Sequence, residues 1–149
     1  MDNKNNNAIL RGKGIPISTK MSVEICRIIQ NKSMVSARRI LQDVVSMKRP
    51  VEFKRFNADL SHKPGMASGR YPINTCKEFL RLLSSIESNA ENKGLNVNNL
   101  FITHAKADKA EARWHSGRSG RTRMKNTHVE LTVEEKSLDK GAKKWLRDK

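Results

Sequence analysis

The sequence has few aromatic residues and only two cysteines. Phe, Trp and Tyr make up 5% of 149 residues, which argues against the rows of base-stacking aromatics that many single-strand binders use. Cys26 and Cys76 lie far apart without a Cys-x-x-Cys pair, so no metal site is predicted. We expect two buried thiols in a reducing compartment. No signal peptide and no bilayer-spanning apolar run are seen, so we expect a soluble, cytoplasmic protein.

Acidic residues are too few to balance the basic ones. Lys and Arg total 30 against 15 Asp and Glu, a net charge of +15. This self-repulsion predicts a permanent anionic partner, for which nucleic acid is the best candidate. A membrane surface fits less well, because no strongly apolar amphipathic stretch carries the charge. Recognition is expected to depend mainly on phosphates, sugars and shape.

The sequence also lacks a set of groups that could converge on a substrate. Its acids are scattered, its four histidines show no ligand spacing, and the segment 65–70 lacks the Lys-Ser/Thr ending of a phosphate-binding loop. We therefore predict no catalytic residue, no cofactor and no metal. A nuclease or an RNA-modifying enzyme is the weaker alternative.

Hydrophobic periodicity predicts three helices. The first begins after Ser18 and the second after Ser33, two good N-cap residues, and Pro50 is expected to stop the second. The third begins at Pro72 and ends at Gly94. It is the longest and most apolar, so we expect it to form the core.

Strand patterns occur at 100–107 and 127–134, and a short edge strand is predicted within 8–17. The segment 51–71 is predicted to be a long basic connection without packing of its own. The fold class is therefore α+β: three helices packed on a small antiparallel sheet with a long protruding β-hairpin. We predict a loose segment at 1–7, one domain at 8–135 that contains the hairpin 100–134, and a charged tail at 136–149.

The link between the two hairpin strands is the most informative segment. At 107–125 it is too long for a tight turn, and from Arg113 to Lys125 it contains no acid. We interpret it as an extended basic finger that enters RNA, with arms of about ten residues each that project roughly 30 Å. Trp114 would either stack on a base or pack against the opposite arm. His104 and His128 would face each other or RNA.

Several stretches resemble one known family. They are Ile17-Ser18-Thr19-Lys20, Glu24-Ile25-Cys26-Arg27, Gly69-Arg70-Tyr71-Pro72, Lys77-Glu78-Phe79-Leu80, Asn89-Ala90-Glu91-Asn92-Lys93-Gly94-Leu95 and Thr127-His128-Val129-Glu130-Leu131. From about Leu10 to Glu135 the chain resembles the universal large-subunit ribosomal protein twenty-two family, called seventeen in the older eukaryotic naming. The long connection before Pro72 looks like the archaeal and eukaryotic branch.

The resemblance implies a structural, non-enzymatic constituent of the large ribosomal subunit. Such a protein binds large-subunit rRNA, supports assembly and lines the nascent-peptide exit tunnel with its hairpin tip. The implied partners are this rRNA, neighbouring large-subunit proteins and the nascent polypeptide, with no DNA and no membrane. The implied tunnel tip consists of Trp114, His115, Ser116, Gly117 and Arg118. Asp108 and Glu111 depart from the family, which tends to be basic there.

The predicted rRNA-binding residues extend beyond the finger. They are Lys20, Arg38, Arg39, Lys54, Arg55, Lys63, Arg70, Lys106, Arg113, His115, Arg118, Arg121, Arg123 and Lys125. Any of these runs could instead be a solvated surface. The alternative function is a non-ribosomal basic nucleic-acid-binding protein, for DNA compaction or as an RNA chaperone. DNA compaction would need a symmetric dimer or a groove-reading helix, and no helix concentrates enough basic residues.

Overall fold

The computed structural model describes residues 6–136, and the predicted tail after 136 lies outside them. The described residues form three helices, α1 (Thr19–Ile29), α2 (Met34–Val45) and α3 (Ile73–Asn92). The strands are β1 (Asn7–Ile15), β2 (Val51–Glu52), β3 (His62–Lys63), β4 (Met66–Arg70), β5 (Leu100–Lys109) and β6 (Thr127–Glu135). Asn7 opens β1, so the end of the segment predicted to be loose is a strand residue.

The helix ends follow local capping chemistry. At the start of α2 the Ser33 hydroxyl accepts a hydrogen bond from Ser36 N at 3.3 Å. At the end of α3, Gly94 N donates to Glu91 O at 2.8 Å and Leu95 N donates to Ala90 O at 3.0 Å. Gly94 has φ +74°, so this end is a Schellman motif that requires the left-handed backbone glycine favours. Pro50 does not set the end of α2, which stops earlier, at Val45.

The main sheet has the strand order β1-β6-β5, and both pairings are antiparallel. Thr127, Val129, Leu131 and Val133 of β6 are buried, while the residues between them are more exposed. Helix α1 packs on β5, α3 on β1, and α2 against α3. Fully buried Phe79 of α3 belongs to this core, which confirms the α+β class and the central place of α3.

The segment 51–71 is not the unpacked connection that the sequence predicts. Its strands form a second antiparallel sheet in the order β2-β4-β3, and Phe53 is buried with 4% of its surface exposed. The pairing is local: Val51 lies opposite Arg70, and His62 lies opposite Ser68. Strands of two residues are too short to show a period-two pattern, so this prediction was wrong for a physical reason.

The long hairpin is consistent with β5 and β6, but less of it projects than the sequence predicts. The two strands pair from Leu100 opposite Glu135 to Lys109 opposite Thr127. Strand β1 accompanies β6 as far as the pairing of Ile15 with Thr127. The inner face of these arms is buried up to Ala110. Only residues 111–125, which we call the finger, extend beyond the paired strands, or about 20 Å per arm if extended.

Thr127 connects the base of the finger to the helical layer. It is fully buried, and its hydroxyl donates to Ile17 O at 2.8 Å. The hydroxyl oxygens of Thr19 and Thr127 also lie 2.8 Å apart. At the same level Asn126 Nδ2 donates to Glu111 O at 2.9 Å. These bonds fix the root of the finger against the start of α1.

Candidate nucleic-acid interface

The finger is a narrow two-armed loop with its own backbone hydrogen bonds. Met124 N donates to Arg113 O at 2.7 Å, and His115 N donates to Thr122 O at 2.9 Å. A single 3-10 turn at Gly117–Ser119 reverses the chain, and Gly117 has φ +67°, a conformation that favours glycine. The predicted tip residues therefore lie on one arm and at the turn.

Trp114 packs against the opposite arm, one of the two alternatives that the sequence leaves open. It forms an isolated antiparallel bridge with Arg123. The guanidinium carbon of Arg123 lies 4.5 Å from the centre of the indole ring, within the range of a cation–π contact. The side chain still exposes 55% of its surface.

The cations of the finger have no acidic partner among residues 6–136. The six ion pairs of this range involve other cations: Arg11, Arg27, Arg38, Lys54, Arg81 and Lys106. Arg113, Arg118, Arg121, Arg123 and Lys125 are all exposed. Repulsion among like charges on so narrow an element favours an external polyanion as the partner.

A small cleft at the root of the finger adds a basic residue that the sequence analysis missed. It has a volume of about 290 Å³, and its lining includes Lys13, Arg113, Lys125 and Asn126. Lys13 lies in β1, where a register shift between Gly12 and Ile15 interrupts the pairing with β6. Only the pairing of β1 with β6 brings Lys13 to the finger, so spacing in the sequence gave no signal for it.

A second cleft lies between α1 and β5, with a volume of about 380 Å³. Its charged lining consists of Glu24, Arg27, Arg55, Lys106 and Asp108. It unites the predicted residues Arg55 and Lys106 with Arg27, which the prediction omitted. A hydrogen bond from Lys106 to Asp108 raises the pKa of this lysine above its ordinary value.

Glu24 holds the second cleft together. Its carboxylate is fully buried, and Oε1 accepts a hydrogen bond from Arg55 N at 2.8 Å. Arg27 Nη2 lies 2.8 Å from Oε2. This second contact is an ion pair by distance only, since Oε2 receives no hydrogen bond of good direction. Arg27 also donates to Glu52 O at 3.2 Å, so one buried acid fixes two cationic residues.

The structure places three further predicted residues, Lys20, Lys54 and Lys63, outside the linings of these clefts. Lys20 Nζ and Arg55 Cζ are 5.8 and 5.6 Å from the centre of the Phe56 ring. Lys54 is exposed and lies 3.6 Å from Glu52. Lys63 Nζ is 6.0 Å from the Tyr71 ring. Lys20, Arg55 and Lys63 therefore each lie beside an aromatic ring.

Helix α2 contributes less than the prediction assigns to it. Arg38 pairs with Glu87 of α3, so its guanidinium already has a partner within the chain. Arg39 is exposed, and its binding role stays a prediction.

Two further expectations concern histidine and cysteine. His104 lies opposite Thr132 and His128 opposite Asp108, so the two histidines do not face each other. Cys26 and Cys76 are buried as predicted, and burial raises the pKa of each thiol from 9.0 to about 12. Within residues 6–136 no cluster of His, Cys, Asp or Glu could hold a metal ion. No helix in this range is long and apolar enough to cross a membrane.

A family described as "Ribosomal protein L22p/L17e" matches residues 10–134. The large ribosomal subunit protein uL22 of Methanoculleus marisnigri is 38% identical over 138 residues, which cover 87% of this chain and 90% of that protein. The uL22 of Archaeoglobus fulgidus is 48% identical over 101 residues, 66% of this chain and 65% of that protein. The uL22 of Staphylothermus marinus is 38% identical over 132 residues, 81% of this chain and 84% of that protein.

Proposed function

The chain belongs to the L22p/L17e family of ribosomal proteins, and from this premise we propose that it is a non-enzymatic structural constituent of the large ribosomal subunit in the cytoplasm. It binds large-subunit rRNA and supports assembly of the subunit. Its finger tip lines the nascent-peptide exit tunnel. The observation that carries the proposal is the finger, a narrow basic element whose exposed cations have no acidic partner in residues 6–136.

Two surfaces are proposed to divide the binding. The finger consists of only two antiparallel backbone segments and carries five cations between Arg113 and Lys125. It is therefore narrow and basic enough to enter between rRNA segments. The cleft between α1 and β5 contains Arg27, Arg55 and Lys106. Because Arg27 and Lys106 are paired with Glu24 and Asp108, Arg55 is the cation of this cleft that we expect to hold a backbone phosphate at the surface of the subunit. The predicted residues Lys20, Lys54, Lys63, Arg70 and Arg39 extend this surface, and neighbouring ribosomal proteins contact the rest of the domain.

The tip is proposed to face the tunnel. Trp114 to Arg118 run along one arm to the beginning of the turn. Ser116 and Gly117 lie next to this turn and are proposed to face the lumen, whereas Trp114 lies nearer the root, where it bridges Arg123. A photo-crosslinking amino acid in place of Ser116 should label nascent chains in translating ribosomes. The same group in place of Ser84, an exposed residue of α3, is the control and should not. Labelling from Ser84 alone would contradict the proposed orientation.

The rRNA interaction is tested by its salt dependence. If each of the five finger cations neutralises about one phosphate, they add about 3.5 to 4.5 to the negative slope of log K against log salt. Replacement of all five by Gln should remove nearly this amount. Filter binding to large-subunit rRNA between about 50 and 200 mM salt measures the slope, and the wild-type affinity should fall by roughly 100- to 500-fold more than that of the variant.

Melting temperature provides the control for this experiment. The five residues are exposed, so the variant should unfold at nearly the wild-type temperature. An unchanged slope would contradict the proposed role of the finger and assign binding to the cleft residues. Recovery of the cellular protein with chromatin instead of ribosomal particles would contradict the ribosomal function itself.

A further inference from the structure

We infer that the indole of Trp114 is a stacking site for a single unpaired RNA base, a step that rests on the proposed rRNA-binding function. Trp114 is the only aromatic residue of the finger, and it exposes 55% of its surface although Arg123 packs against it. Met124 of the finger exposes 40% of its surface as well, but its thioether has no flat ring on which a base can stack.

Arg123 orients the ring and prepares it for a base. Its guanidinium carbon lies 4.5 Å from the ring centre, and the bridge between residues 114 and 123 joins the backbones beneath this contact. The arginine therefore covers part of the indole and restricts its rotamers, which lowers the entropy lost on binding. More than half of the Trp114 surface stays exposed beside this contact, and we expect that surface to accept a second flat group.

The charges around Trp114 indicate which kind of ligand would stack on its ring. Arg113, Arg118, Arg121, Arg123 and Lys125 bring no acid with them, so a ligand with negative charge beside a flat π system fits best. A nucleotide has this composition, because its base stacks on the indole while its phosphate meets an arginine. Neutral peptide segments would gain the stacking but not the charge complementarity.

The low aromatic content limits the inference to one base. The sequence argues against a row of stacking residues, and neither the cleft with Lys13 nor the cleft with Arg55 is lined by an aromatic ring. Most contacts would still be made to phosphates and sugars. Trp114 would add one contact to a base, and this base must be unpaired and turned out of its helix.

Fluorescence of the full chain tests the inference. The protein has two tryptophans, so the Trp145→Phe variant leaves Trp114 as the only indole emitter. An oligoriboadenylate of about eight nucleotides should quench this emission, whereas an abasic strand of equal length and charge should bind more weakly and quench little. Trp114→Leu should weaken binding of oligoriboadenylate by about 5- to 150-fold, the range for one stacked base. Trp114→Phe should retain part of it.

Two arginine variants of equal charge separate stacking from electrostatics. At saturating strand, Arg123→Gln should reduce the quenching, since it removes the group that orients the indole. Arg121→Gln should lower the affinity but leave the quenching at saturation unchanged. Both should flatten the salt slope by about the same amount. Equal quenching by the abasic strand, or equal affinity of Trp114→Leu and wild type for oligoriboadenylate, would overturn the stacking site. Quenching by an aromatic peptide but not by oligoriboadenylate would also overturn the stacking site.

The outcome is separable from that of the proposed function. Trp114→Leu keeps the charge of the finger, so its salt slope on large-subunit rRNA should match that of the wild type even if the stacking inference fails. If the wild-type protein did not bind large-subunit rRNA, this result would contradict the proposed function but not the stacking of a base on Trp114.

Discussion

The body of the molecule and its finger are built on opposite physical principles. In the body, α3 and β6 bury apolar side chains completely, and buried Glu24 has a paired cation. In the finger, from Arg113 to Lys125, every side chain whose exposure is described is solvent-accessible, and the cations lack an acidic partner in residues 6–136. The body is stabilised by its own contacts, whereas the finger is suited to contacts with something else. Stability and binding should therefore respond to different substitutions.

The strongest test of whether the body and the finger respond to different substitutions replaces one aromatic residue of each region by alanine. Phe79→Ala should lower the free energy of unfolding by about 3–5 kcal/mol, because the ring is completely buried in α3. Trp114→Ala in the finger is the matched control and should change it by less than about 1 kcal/mol. Urea denaturation measures both. Similar losses from the two variants would show that the finger belongs to the cooperative unit.

Glu24 tests whether the buried acid of the body positions binding residues. Glu24→Gln should cost about 1.5–3 kcal/mol of unfolding free energy, since it removes the charge that Arg27 faces while an acceptor for Arg55 N remains. Glu78→Gln, which breaks an exposed pair with Arg81, should cost under about 1 kcal/mol. Denaturant titration compares the variants. A smaller loss for Glu24→Gln than for its control would contradict the role of Glu24.

Thr127 tests the junction between the two regions. Thr127→Val keeps the shape but removes the hydroxyl that bonds Ile17 O and contacts Thr19, so we expect a loss of about 1–2 kcal/mol. Thr132→Val, on the more exposed face of the same strand, should be within about 0.5 kcal/mol of wild type. Amide exchange near residue 110 should accelerate only in Thr127→Val. Unchanged exchange there would mean that the finger root is held by backbone pairing alone.

The smallest expected effect concerns the thiols of the body. Cys26 and Cys76 have their pKa raised from 9.0 to about 12 by burial, so they stay neutral in the folded protein and react slowly with thiol reagents at about pH 8. In the unfolded chain the two thiols ionise near their ordinary pKa of 9.0. Their contribution to stability is thus complete below pH 9 and is lost as pH rises from 9 toward about 12.

A thiol titration with and without denaturant checks this expectation. Two thiols should react rapidly only after unfolding. The double variant Cys26→Ala Cys76→Ala should show a smaller loss of stability at alkaline pH than the wild type. Rapid reaction of either thiol in the native protein would mean that the helical layer opens locally.

The sequence by itself determined the features that depend on local periodicity and on charge. Helical spacing predicted α1, α2 and α3, and alternation predicted β6, because each side chain's neighbours within one element follow from the period of that element. The run Leu100 to Ala105 predicted β5. Charge identified the finger, because the run from Arg113 to Lys125 contains basic residues and no acid. The match to the family at residues 10–134 agrees with the resemblance seen in the motifs.

Only the tertiary structure decided which distant residues meet. The pairing of β1 with β6 brings Lys13 to the finger root, and buried Glu24 joins Arg27 to Arg55. The two-residue strands in 51–71 exist because β4 pairs with both of them, which a short sequence pattern cannot encode. The choice of Arg123 as the partner of Trp114 likewise depends on cross-strand register. Local periodicity specifies the elements, but register and packing between elements decide which charges and rings act together.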